Sequence, residues 1–329
     1  MRLYFRAAVI YAAISLVIVW LRYGDVDDLI ATSAVATLAV TGYQALFLVL
    51  PVIALLFLML GRRLFRQRVT QALYAIAGAV ILQVGFSFLK SSIPNFVPFY
   101  ADPMLASIDR TLHGGQDGWR IAHEIAPYVG AQRLLPVYLY VWSVFVMALP
   151  TVVALTDDDE ARVHRFVIVR LMIWVLLGNV LATAFASVGP VFYDRLYGGD
   201  RFADLTAALQ SSGVEGGPIG RIQAYLWTGY LTQKMELASG ISAFPSVHLG
   251  IATSTAIYAA ERSRWLILPG VLFVATILYL SVYTGYHYAI DGYFSIAAVL
   301  LAWVGVRRWQ GRSHVAASAA NAGLPRVRG

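Results

Sequence analysis

Apolar residues fall into eight long blocks along the chain, separated by short polar links and by two long mixed segments. The blocks cover about 5–22, 41–60, 69–90, 134–155, 166–187, 246–260, 266–284 and 288–305. About 20 apolar residues let a helix cross a bilayer, so each block predicts a transmembrane helix. The sixth is short if it starts at Ser246, and Phe244 lengthens it. Residues 29–40 are also apolar and fit either an extension of the second helix or a segment on the membrane surface. The N-terminal MRLYFRAAVIYAAISLVIVW has no small-residue cleavage site before Arg22, so it reads as a retained span.

The two long segments, about 91–133 and 188–245, mix Pro, Gly and aromatics with amphipathic stretches such as PMLASIDRTLHGG. They predict short helices lying over one end of the bundle. SSGVEGGPIGR (211–221) predicts a flexible loop, and no GK[ST] follows it, so it is not a phosphate-cradling loop. The expected architecture is an all-α integral membrane protein of about eight transmembrane helices with outer-face interfacial helices.

Composition agrees. The chain is 59% hydrophobic and 13% charged, against roughly 25% charged in soluble domains. It has no cysteine, which excludes disulfides and thiolate metal sites. Charge then supplies orientation. With the N-terminus inside, the inner segments hold 16 of the 25 Lys+Arg and 5 of the 18 acids, a net of +11. The outer side is left with 9 bases and 13 acids, a net of −4. Basic residues concentrate on the cytoplasmic side, so both termini are expected there. The overall +7 is therefore a topology signal, helped by anionic inner-leaflet lipid, and not a nucleic-acid footprint.

Two stretches carry candidate chemistry, FPSVHLG (244–250) and YHYAID (286–291). His248 starts the sixth helix and His287 ends the return of the seventh, so both lie at one membrane depth. Asp291 follows His287 by four residues, which puts both on one helical face. A carboxylate there fixes the imidazole tautomer and leaves the other ring nitrogen as nucleophile or base. A second histidine completes an acid–base pair, and Ser246 caps a helix start that attracts anions. The set points to phosphoryl transfer at the membrane surface. Two other readings use the same residues: a transporter or proton relay, and a bis-histidine haem protein with His248 and His287 as axial ligands. His113, His123, His164 and His314 fit structural roles. Tyr283, Tyr286, Tyr288 and Tyr293 fit an interfacial aromatic belt, and Gly285 and Gly292 fit close packing. Arg170, inside the fifth span, is expected to snorkel or to pair with another helix.

FPSVHLG and YHYAID resemble the second and third signature blocks of the type-2 phosphatidic-acid phosphatase superfamily, written P-S-G-H and S-R-x5-H-x3-D. They are more similar to the branch containing the fungal inositol-phosphorylceramide synthases, where the blocks read F-P-S-x-H and H-Y-x-x-D. The resemblance implies a six-helix catalytic core over 69–305, with the site on the non-cytoplasmic face. Two further helices precede it in 1–68, and a basic cytoplasmic tail, expected to be disordered, follows over 306–329. It implies that His287 forms a phospho-histidine, that Asp291 orients it, that His248 is the acid and then the base, and that Ser246 contacts phosphate. No metal and no cofactor is implied. The substrate is a lipid phosphate or phospholipid, and the acceptor is water or an alcohol such as inositol or ceramide.

The sequence departs from the family pattern in places. Val247 replaces the family's glycine, and Leu280 and Ser281 replace its serine and arginine. The first block, K-x6-R-P, is incomplete: Lys90 is followed by Val97-Pro98 without the arginine. SVGPVFYDR (187–195) is the alternative counterpart. Candidate phosphate counter-charges are Lys90, Arg110, Arg195, Arg201 and Lys234. Of these, Lys90, Arg110 and Lys234 are assigned to substrate binding.

Overall fold

The computed structural model describes residues 1–24, 62–232 and 240–322. The expected span 41–60, the apolar stretch 29–40 and Lys234 lie outside the described residues. Among the described residues all regular structure is helical.

Helix α1 (Arg2–Tyr23) packs along α2 (Arg62–Phe96). They run parallel: the Met1 amino group donates to Gln71 Oε1 at 3.0 Å, and the Asn95 amide reaches the Tyr23 hydroxyl at the far end. Two short amphipathic helices follow, α3 (Asp102–Leu112) and α4 (Gly118–Val129). Gly130, at φ 67°, ends α4. The chain there bends by 101° into α5 (Ala131–Met147), which continues past Ala148 as α6 (Leu149–Thr156). The expected span at 134–155 is thus one interrupted helix. Pro136 and Pro150 lack the N–H that the helical ladder needs, and the turns widen to π geometry over Val137–Val141.

Asp159 caps α7 (Glu160–Ala184), its side chain accepting from the Arg162 N–H at 2.9 Å. Helices α8 (Pro190–Tyr197), α9 (Ala203–Ser211) and α10 (Pro218–Thr232) lie beside α3 and α4 over one end of the bundle. The stretch expected to be a flexible loop is only the turn before Pro218, and Val214, 1% exposed, pins it to the core. The last three helices are α11 (Val247–Arg262), α12 (Ile267–Tyr283) and α13 (Ala289–Ala322), the last continuing as helix over 306–322, where a disordered tail was expected.

Among the described residues five helices are long and apolar enough to cross a membrane, and the bent pair α4–α5 makes six if it is one span. The expected eight are not all found there. Besides 41–60, the difference is α11, whose 16 residues span about 24 Å, less than the roughly 30 Å hydrocarbon layer. It needs no lipid-facing surface, because α7, α12 and α13 enclose it and Leu249, Ile251 and Ala252 are fully buried. Gly292 lets α12 approach α13: a Cβ there would lie 2.5 Å from Leu278 Cδ1.

The basic links meet at one end of this bundle. Asp157 accepts two hydrogen bonds from Arg162 at 2.6 and 2.8 Å and one from the Tyr258 hydroxyl at 3.0 Å. Burial raises its pKa, but the bonds from Arg162, the Asp159 N–H and Tyr258 together outweigh that and hold it down to about 2. Arg165 pairs with Glu261 at 2.7 Å, and Glu261 also accepts from Trp303 Nε1 at 2.9 Å. Helices α7, α11 and α13 are thereby tied at that end. The two histidine motifs are at the opposite end, under α3, α4 and α8–α10.

Candidate active site

The motif segments are held by backbone pairing before any catalytic group is considered. Residues 243–244 dock on Ser187: the Ala243 N–H donates to its carbonyl at 2.9 Å and the Phe244 N–H to its hydroxyl at 3.0 Å. Ser246 then starts α11 as its N-cap, its Oγ accepting from the Leu249 N–H at 3.4 Å. The Ser246 N–H donates to the Asp291 carbonyl at 3.4 Å, so the starts of α11 and α13 lie side by side. That contact brings together residues 45 positions apart.

His287 lies between them. Its Nδ1 is 3.3 Å from Asp291 Oδ2, and its Nε2 is 3.3 Å from Ser246 Oγ. Ser246 and Asp291 are fully buried and His287 is 6% exposed. Burial first, and the Lys90 charge second, push the His287 imidazole down to about 3, so the ring is neutral at ordinary pH. A neutral ring donates from one nitrogen and accepts at the other. Donation from Nδ1 to Asp291 leaves the Nε2 lone pair, to which the Ser246 hydroxyl can donate while still accepting from Leu249.

The His248 ring centroid is 6.0 Å from that of His287, with the planes at 66°. His248 is stacked between Tyr138 at 4.7 Å and Trp142 at 4.0 Å, both from α5. Sequence reasoning missed this pair. Its only trace was an i, i+4 aromatic spacing in the fourth span, which does not say what it faces.

A second layer fixes the 286–291 turn. Asp102, fully buried, accepts from the Val188 and Gly189 N–H groups at 2.9 and 2.8 Å and from the Tyr288 hydroxyl at 3.0 Å. Burial leaves its carboxyl above the usual range despite those donors. Asp109 accepts from the Gly118 N–H at 3.0 Å and the Ile290 N–H at 3.1 Å. The sequence singled out neither acid: Asp109 falls within the amphipathic stretch PMLASIDRTLHGG and Asp102 just before it. Gly189, at φ 85°, passes so close to the turn that a Cβ would lie 2.3 Å from the Tyr286 carbonyl oxygen.

Tyr283 and Tyr288, expected in an aromatic belt, are each 2% exposed. Tyr288 faces Asp102, and Tyr283 stacks on His123 at 4.3 Å. Only Tyr293, 39% exposed, matches a belt position. His113 and His123 are bonded to the Asp109 carbonyl at 2.7 Å and the Tyr283 carbonyl at 2.9 Å, as their expected structural roles require.

A cavity of about 380 Å³ opens beside the two histidines, lined by Lys90, Tyr138, Trp142, His248, Tyr286 and His287 among others. Lys90 is the only Lys or Arg among the described residues that line it. Arg110 does not reach it: its Nε donates to the Gly115 carbonyl at 2.7 Å on the exposed side of α3. Arg201 is held by Asp117 through two bonds at 2.6 and 2.8 Å, and Arg195 lies exposed over Trp227. Arg110 is therefore removed from the cavity by its own helix geometry, since α3 turns that side outward.

A family model described as the PAP2 superfamily matches residues 103–307. The match contains both motifs and the SVGPVFYDR segment, and it begins after α2, so Lys90 lies outside it. No match is found among curated proteins or among solved structures. The matched region takes up more than half of the 329 residues. Members of the superfamily are generally phosphatase- or phosphotransferase-type enzymes, with lipid phosphates as substrates. This multi-pass membrane chain, with its paired histidines inside the matched region, belongs to the PAP2 superfamily.

Proposed function

We propose that the chain cleaves or transfers a phosphoryl group or phosphate-linked headgroup on a lipid through a phospho-histidine at His287. One observation carries this reading: His287, buried and neutral, has one nitrogen on Asp291 and the other on Ser246, and its ring lines a cavity shared with His248 and Lys90. In the first step His287 Nε2 bonds to phosphorus, the bond from phosphorus to the leaving alcohol breaks, and protonated His248 gives that oxygen a proton. In the second, His248 takes a proton from the acceptor, the acceptor oxygen bonds to phosphorus, and His287 is released. Water as acceptor gives inorganic phosphate; an alcohol gives a new phosphoester. Lys90 neutralises phosphate charge, and Ser246 positions Nε2 and contacts a phosphate oxygen.

The transferase version, with inositol or a ceramide-like alcohol as acceptor, is favoured by the F-P-S-x-H and H-Y-x-x-D forms of the motifs. The charge asymmetry favours a site on the non-cytoplasmic face with both termini inside. On this reading residues 69–305 are the catalytic unit, the preceding part of the chain contributes added membrane helices, and 306–329 is a cytoplasmic tail. The relay and haem readings gain nothing from the geometry, because the His287 ring nitrogens face Ser246 and Asp291.

Phosphorus-31 NMR on purified protein tests the proposal, using lipid phosphates and phospholipids with and without inositol or ceramide. His287→Ala serves as the control. Inorganic phosphate absent in the variant identifies a phosphatase. An acceptor-dependent diester identifies a transferase. Equal product from both proteins overturns the mechanism.

A further inference from the structure

The cavity does not stop at the histidines. On α2 it is lined by Gln83, Phe86, Ser87 and Lys90, which recur at helical spacing on one face. With 1.5 Å of rise per residue, Ser87 lies about 4.5 Å and Gln83 about 10.5 Å from Lys90 along the helix, away from the histidine end. Trp174 of α7 lines the same depth and meets Phe86 edge-on at 4.6 Å. Two polar side chains therefore sit in an aromatic slot that runs down into the span.

Ser87 makes the slot unusual. It is 3% exposed, and its hydroxyl has no hydrogen-bond partner among the described residues. A serine in a helix commonly bonds back to the carbonyl four residues earlier. An unmade hydrogen bond at membrane depth is expensive. A ligand that enters the cavity can supply the missing partner.

We propose that Ser87 and Gln83 form a subsite for the acyl carbonyl of the lipid, an ester in a glycerolipid or an amide in a ceramide. The proposal rests on the lipid-phosphate reading above. With phosphate between Lys90 and the histidines, an acyl-linked backbone places its carbonyls a few bonds below phosphorus, at the depth of Ser87. An isoprenyl phosphate places bare hydrocarbon there and leaves the Ser87 hydroxyl unbonded. The site thus selects acyl lipids over polyprenyl phosphates.

The test uses the full-length protein in detergent with four substrates: dioctanoyl phosphatidic acid, its diether analogue, a short-chain ceramide phosphate and farnesyl phosphate. The two acyl substrates should exceed the diether and farnesyl compounds in kcat/KM by about five- to tenfold for one or two hydrogen bonds. Ser87→Ala and Gln83→Met should reduce the acyl substrates to the diether level and leave the diether unchanged. Whichever acyl substrate loses more identifies ester or amide as the natural partner. An unchanged acyl-to-ether ratio in both variants overturns the subsite, as does a wild-type protein that turns over farnesyl phosphate equally well. Binding to His287→Ala protein, followed by tryptophan fluorescence with the same four lipids, gives the same comparison without turnover. Turnover that survives His287→Ala, with the binding preference kept, would count against the mechanism and leave the subsite standing. Equal binding of the four would overturn the subsite.

Discussion

The Trp142 indole lies 4.0 Å from the His248 imidazole, stacked at 26°, while its Nε1 donates to the His248 carbonyl at 3.1 Å. One side chain therefore holds both the ring and the backbone of the proposed acid. Tyr138 closes the other side at 10° to the ring. Burial first, then His287 and the Lys90 charge, push the His248 imidazole well below its ordinary value, and the cation–π stabilisation of an imidazolium between two aromatic faces offsets part of that loss for the proton-bearing form that the first step needs.

Trp142→Ala should therefore slow turnover of alkyl phosphates by about thirtyfold, the equivalent of roughly 2 kcal/mol for a desolvated cation–π contact. A nitrophenyl ester, whose leaving group needs no proton, should lose much less. Trp142→Phe should recover most of the difference. Steady-state rates on the two ester types decide it: equal losses on both would mean that Trp142 only supports the fold.

His248→Ala should lower alkyl phosphate turnover by about 10²–10⁴-fold, the usual contribution of a placed general acid. Asp291→Asn should cost on the order of 10⁴-fold, as when another orienting carboxylate is neutralised and the wrong tautomer results. Both variants should elute from size-exclusion chromatography like the parent. Near-parental activity in either would remove that residue from the mechanism.

The His287 imidazole is held at about 3 against an ordinary 6.5. Between these values the unfolded chain binds a proton that the folded one does not, so stability rises with pH through this window and is complete above about 6.5. The nucleophile accordingly stays competent in mild acid. Single-turnover phosphorylation of the protein should show no inflection near 6.5 from this residue. In Lys90→Met, which removes the second cause of the depression, the acid-side inflection should move to higher pH.

Asp157 holds the opposite end of the bundle. Its carboxyl lies at about 2 against an ordinary 3.8, so its contribution is present above 3.8 and is lost as pH falls through about 2. Asp157→Asn leaves Arg162 and Arg262 without their shared carboxylate and should cost about 3 kcal/mol or more, by analogy with broken buried pairs. The thermal midpoint in detergent should drop, while kcat per folded molecule stays within about twofold, since remote sites are close to additive. A large kcat loss at unchanged midpoint would show that this end communicates with the histidines.

Much of this was legible along the chain. Apolar blocks locate spans because a bilayer demands length and little else, and the order of crossings alone puts His248 and His287 at one depth. The i, i+4 spacing of His287 and Asp291 needs only helical geometry. Asp102 and Asp109 were not legible, because their partners Tyr288 and Ile290 come from a turn more than 180 positions later. Arg110 failed for a related reason: its helix could be foreseen, but the side of it that faces the cavity could not. Tyr288 was misread because an aromatic near a helix end looks the same whether it faces lipid or a buried carboxylate.

Arg170 is 1% exposed within α7, and its guanidinium donates to the Val146 carbonyl at the end of α5. An arginine at mid-span is worth roughly 2.5–3.5 kcal/mol against insertion of an isolated helix. Its partner arrives on the preceding span, joined through a link of only three residues, Asp157, Asp158 and Asp159. The two helices are therefore expected to enter the bilayer as a hairpin, with Tyr4 of α1 as a further partner of the guanidinium. A reporter fused after α7 alone should insert poorly, and one fused after the hairpin should insert well.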